Sequence, residues 1–192
     1  RGPDGTGKPL GGLWSLLAFA MQMCLILVTG FVVANTPAVR RGLGALAGLP
    51  RTTAQAAVMV SVVAMSLALV HWGLGLIGGA LLAREVGISM GERGVPVHYP
   101  LLAAAGYTGL CVWHGGLSGS APLKVTDAAN LADVLGADLA GSVDPMPLTD
   151  TVFAPRNLVA TGLVLLVVPL VLAWMAPGDD AELADGGPGV GL

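Results

Sequence analysis

The chain has 192 residues, 54% of them hydrophobic and only 11% charged, with a mean hydropathy of +0.78, whereas a soluble domain carries roughly 25% charged residues. That composition excludes a water-soluble globular domain, and a net charge of −3 with no basic stripe excludes nucleic acid as a partner. Cys24 and Cys111 both lie in apolar segments and supply neither a disulfide framework nor a metal-ligand spacing.

The charges are segregated along the chain. Uncharged intervals of 31, 32, 30 and 22 residues follow Lys8, Arg51, Arg93 and Arg156, and a spanning helix needs about 20 predominantly apolar residues. Each interval therefore holds at least one crossing, which predicts an all-α integral membrane protein, a polytopic helical bundle of four or more segments. The transmembrane domain covers 13–176, with segments at about 13–34, 54–83, 98–123 and 157–176 and an acidic loop at 124–156; residues 1–12 are a polar lead-in.

Taken in chain order, 13–34 is the cleanest spanning helix, and Gln22 is its only amide. A lone amide facing lipid is costly, so Gln22 either lines a substrate path or ties two helices together. Arg40, Arg41 and Arg51 then mark a connection of cytoplasmic type. In 54–83 the apolar run reaches His71 and Trp72 and meets four glycines within 73–79, Gly73 and Gly75 among them. A break near Trp72 with a short second arm is expected, followed by a balanced polar turn over 84–97.

From His98 a helix of about 16 residues is expected to reach Trp113, and then comes WHGGLSGSAPL at 113–123. Three glycines, two serines and a proline are poor material for a helix interior, yet the flanks place them at membrane depth. Irregular backbone survives there only when protein or a water-filled cavity satisfies it, and such breaks are where transporters hold substrate. The segment is read as broken or re-entrant, the alternative being a helix contact through small residues. Trp113, His114, Gly115, Gly116, Ser118, Gly119, Ser120 and Pro122 are its candidate binding residues, joined by Gln22, Trp72, Gly73 and Gly75. His71 and His114 border the two glycine-rich breaks and are either functional or neutral and satisfied by backbone.

The loop at 124–156 carries Asp127, Asp133, Asp138, Asp144 and Asp150 and has room for a short extramembrane helix over 125–140. The apolar run 157–175 makes the last crossing, and 177–192 reads as a flexible tail or linker. Ser118 in GLSGS has glycine at only one of the two outer places of a nucleophile elbow, Ser120 standing at the other, and has no acid within reach in sequence, so no catalytic residue is assigned.

The runs LWSLLAFAMQM (13–23), VTG (28–30), HWGLGL (71–76), AREV (83–86), YPLL (99–102), GGLSGSAPL (115–123) and DTVF (150–153) resemble the short-chain fatty acid transporter family of permeases from Leu13 to about Ala176. The resemblance implies half of an inverted-repeat secondary carrier of the prokaryotic inner membrane, moving monocarboxylates such as acetoacetate or butyrate. It implies no cofactor, leaves a proton or a sodium ion as the coupling ion, and names the lipid bilayer and the remaining C-terminal half of the carrier as partners, with self-association open. Members are more than twice this length, so the chain is expected to be an N-terminal-half fragment. His114 stands where the family pattern leads one to expect glycine, and the loop at 124–156 is unusually acidic. The rival reading is a non-transporting membrane subunit whose Gly-rich segments are helix-packing contacts.

Overall fold

A computed structural model describes residues 16–34, 36–135 and 142–178, and among these it is entirely helical. The polar lead-in at 1–12 and all but residues 177 and 178 of the tail lie outside the described residues. The elements are α1 (Leu17–Ala34), α2 (Pro37–Ala47), α3 (Thr53–Val70), α4 (Trp72–Glu92), α5 (Tyr99–Tyr107), 3₁₀ turns at Thr108–Cys111 and Trp113–Gly115, α6 (Ser120–Lys124), α7 (Ala128–Leu135) and α8 (Pro155–Met175). Helices α3, α4 and α8 are each long and apolar enough to cross a membrane. A fourth span arises if α1 and α2, bent by 75° at Thr36-Pro37, count as one.

The centre of the fold is a hairpin with a one-residue hinge. His71 is extended (φ −154°, ψ 127°); its N–H closes α3 on Leu67, and its carbonyl accepts the Gly75 N–H that opens α4. The returning helix packs by small residues. A Cβ on Gly75 would collide with Ala68, and one on Gly79 would lie 2.8 Å from the Ala64 Cβ. As the residue number rises on α4 it falls on α3, so the two run antiparallel, with small residues at i and i+4 letting the backbones approach.

The arm after His71 is not short. It runs 21 residues through Arg84 and Glu85, which pair with each other at 3.1 Å on the surface, and ends at Glu92. Termination comes from Gly94 at φ 65°: the Val95 N–H reaches the Met90 carbonyl and the Gly94 N–H reaches Gly91, a glycine cap that satisfies the last carbonyls. Arg93 then donates to the Gly48 and Ala47 carbonyls, a cation at the C-terminal end of α2.

Helix α5 also differs from expectation. It ends at Tyr107 rather than Trp113, since Thr108 turns its hydroxyl back to the Ala105 carbonyl (2.7 Å) and meets the buried Ser61 hydroxyl at 2.9 Å. With the Thr108 proton committed to Ala105, the single Ser61 proton is shared between Thr108 Oγ1 and the Met65 sulfur, 3.4 Å away. Glycine again permits contact: a Cβ on Gly109 would lie 2.9 Å from the Ala64 carbonyl oxygen, and Gly106 sits on Gly79. Ala56, Ala57, Val60, Leu82, Val86 and Leu102 form the core between α3, α4 and α5.

Helix α8 packs on α3 but buries only Pro169 and Leu172, and Trp174 is 86% exposed. Leu25, Val28, Phe31 and Val32 of α1 are likewise exposed, an outer surface suited to lipid or further protein rather than water.

Replacing Thr108 with Val removes the donor to the Ala105 carbonyl and leaves the buried Ser61 hydroxyl only the weaker Met65 sulfur as an acceptor. Thr108→Val is expected to cost about 1–3 kcal/mol, read as a lowered unfolding midpoint in detergent, whereas the exposed Thr149→Val should leave the midpoint unchanged.

Candidate functional site

The Gly/Ser stretch is a strap across the α3–α4 hinge. Two tight turns begin it, with the Gly115 N–H on Val112 (2.9 Å) and the Gly116 N–H on Trp113 (3.0 Å), after which Gly116 is extended (φ −101°, ψ −172°). The Leu117 N–H then donates to the Leu69 carbonyl at 2.7 Å, supplying a partner to one of the last carbonyls of α3. This contact needs glycine beside it, because a Cβ on Gly116 would meet the Leu69 backbone, 2.7 Å from its Cα. Gly119 lies on the His114 carbonyl and leads into α6.

The next residue of the strap meets the start of α4. The Trp72 N–H donates to Ser118 Oγ at 2.9 Å, while the Gly73 N–H donates to His71 Nδ1 at 3.1 Å. The first donors of α4, where its dipole is positive, are thus covered by a histidine and a serine. Accepting at Nδ1 places the neutral His71 proton on Nε2.

Beside the strap is a cavity of about 690 Å³ lined by Gln22, Met23, Leu25, Ile26, Trp72, Leu110, Trp113, Ser118 and Ser120. Its walls are largely apolar, with the Trp72 and Trp113 rings 6.2 Å apart, and the described lining side chains carry one amide, two hydroxyls and two indole N–H groups. Among the described residues no acid or base lines it. Ser118 already accepts from Trp72, so its own proton is the group it can offer, and no described residue accepts it. A hydroxyl that accepts from a helix N-terminus is polarised into a stronger donor. Such a site can hold one small anion by dipoles beside an apolar chain; apolar walls with a few convergent polar groups are the usual make-up of a ligand pocket.

Of the residues singled out from sequence, Gln22, Trp72, Trp113, Ser118 and Ser120 come together here. The others are placed differently. His114 is exposed and lies outside the lining, its ring 3.8 Å from Trp113. Gly115 packs on Thr161 and Asn157, and Gly75 on Ala68. Gly116 and Gly119 direct their N–H groups into the strap's own turns, so their contribution is room and shape. Gly73 lines a separate cavity of about 270 Å³ with His71 and Thr29, and Pro122 one of about 550 Å³ with Asp150 and Arg156. Met23, Leu25, Ile26 and Leu110 are lining residues that sequence reasoning passed over; the spacing of Ile26 four residues after Gln22 is the signal that marks one face of α1. Among the described residues no group of three or more His, Cys, Asp or Glu could hold a metal ion.

Residues 9–185 match a family model described as short chain fatty acid transporter. Two curated bacterial proteins, each provisionally named a short-chain fatty acid transporter, are similar. One, from Escherichia coli (strain K12), is 37% identical over 167 residues, covering 86% of this chain and 35% of that protein. The other, from Haemophilus influenzae, is 34% identical over 166 residues, covering 86% and 36%. The chain thus spans about a third of the length of the curated relatives it matches. No solved structure matches.

A methyl at Gly116 has only the Leu69 backbone to displace. Gly116→Ala is expected to cost about 1–3 kcal/mol in a thermal melt of the purified protein. In the control Gly42→Ala, where a Cβ meets nothing within 4 Å, stability should be unchanged or slightly higher.

Proposed function

Because the chain belongs to the short-chain fatty acid transporter family, we propose that it forms a substrate-binding portion of a secondary carrier that moves short-chain monocarboxylates, such as acetoacetate or butyrate, across the bacterial inner membrane. The observation that carries this reading is the cavity where Ser118, polarised by the N-terminus of α4, faces Ser120, Gln22 and two tryptophans. The carboxylate accepts from the two hydroxyls and the Gln22 amide, while the short acyl tail lies against Trp72, Trp113, Ile26 and Leu110. With no Arg or Lys among the described lining residues, the anion is held by dipoles, an arrangement that favours release as readily as capture.

The nine residues of α5 rise only about 14 Å, too little for a crossing. In our reading α5 and the strap form a re-entrant segment, and the rest of the carrier supplies an inverted counterpart that closes the site. The bound carboxylate, or a proton or sodium ion carried with it, couples the movement. The packing of Gly75, Gly79 and Gly106 is what a purely structural membrane subunit would also need. A polar-tipped cavity with an unspent serine proton is what such a subunit would not need.

Uptake of labelled butyrate into vesicles holding the full-length carrier tests the reading. Ser118→Ala removes a donor to a charged group, so uptake at low substrate should fall roughly tenfold or more with normal insertion. Wild-type uptake in this variant, or no saturable uptake by the parent carrier, would overturn it.

A further inference from the structure

A side chain outside the cavity controls where the strap sits. Asn157 lies in the first turn of α8, and its Nδ2 donates to the Gly115 carbonyl at 3.1 Å and to the Val152 carbonyl at 2.7 Å. Both amide protons are therefore used. The opposite amide orientation is excluded, since it would set Oδ1 against two carbonyl oxygens. Thr161, one turn further along α8, leaves no room for a side chain at position 115.

The Gly115 carbonyl is two residues ahead of the Leu117 N–H on Leu69 and three ahead of Ser118 on Trp72. Four consecutive residues are thus anchored at one end by α8 and at the other by the α3–α4 hinge. We propose that Asn157 is a positioning residue for transport: it fixes the strap through the Gly115 carbonyl so that Ser118 and Ser120 stay aimed into the cavity, and it couples the position of α8 to the substrate site. This rests on the carrier reading above. Asn157 itself touches no cavity-lining residue through these bonds; it acts through the strap.

The test compares two substitutions of similar size in the full-length carrier. Asn157→Leu removes both donors at every pH. Asn157→Asp presents a carboxylate to two carbonyls when ionised, which favours protonation, and the protonated form restores one O–H donor. Among the described residues the charged or titrating groups nearby are Arg156 on α8, Asp150 on the preceding loop and His114 on the strap; all are present in the parent carrier, so each rate is divided by the parent's at the same pH. The expected result is a roughly fivefold rise in half-saturation concentration for Asn157→Leu across the pH range. For Asn157→Asp, the deficit should shrink as pH falls. Parent-like uptake by Asn157→Leu, or equal deficits in both variants at every pH, would overturn the proposal.

A second readout does not depend on transport. Alkylation of Ser120→Cys, with Cys24 and Cys111 replaced, should quicken severalfold when Asn157→Leu is added. An unchanged rate contradicts the positioning role even if the carrier proves to move something other than a monocarboxylate.

Discussion

Everything at this site depends on one requirement: inside a bilayer, each backbone N–H and C=O that leaves a helix needs another partner. The chain ends α3, starts α4 and abandons α5 within one small volume, which exposes carbonyls and donors that water would otherwise cover. The answer is mutual. The strap's Leu117 N–H takes the Leu69 carbonyl, its Ser118 hydroxyl takes the Trp72 N–H, and His71 takes the Gly73 N–H. The irregular strap and the interrupted helices complete one another.

That arrangement explains how glycine is divided between two duties. Gly75, Gly79, Gly106 and Gly109 draw α3, α4 and the end of α5 together, with backbone against backbone. Gly116 and Gly119 let the strap lie flat on what they assemble. Only then do Ser118, Ser120, Trp72 and Trp113 face a part of the bundle where α1 stands off and leaves a cavity. The polar chemistry is slight, and the proposed hold on a small anion draws on the positive end of the 21-residue helix that starts behind it.

Much of this was legible in the sequence. Charge-free intervals located the apolar helices, glycine spacing after His71 located the hinge, and the Gly/Ser run marked an irregular strap. Helix ends were not legible where tertiary contacts decide them. Arg84 and Glu85 looked like a turn, yet they neutralise each other on the surface of a continuing helix, and Gly94 sets the stop. The local bond from Thr108 to Ala105 is only part of what ends α5 at Tyr107; the buried Ser61 hydroxyl, 47 residues away from Thr108, takes part in that decision. The polar role of Asn157 was hidden for the same reason, since its partner Gly115 is 42 residues distant. Gln22 was visible as an amide out of place, but only the packing of α1 beside Trp72 gives it a destination.

The central claim is that a short carboxylate occupies the cavity between the strap and α1. Substrate protection of a single cysteine measures this directly. In a carrier without Cys24 and Cys111, butyrate should slow alkylation of Leu110→Cys, which lines the cavity. It should leave alkylation of Tyr107→Cys, exposed but outside the lining, unaffected. Equal rates with and without butyrate at position 110, at concentrations that saturate uptake, would contradict the account.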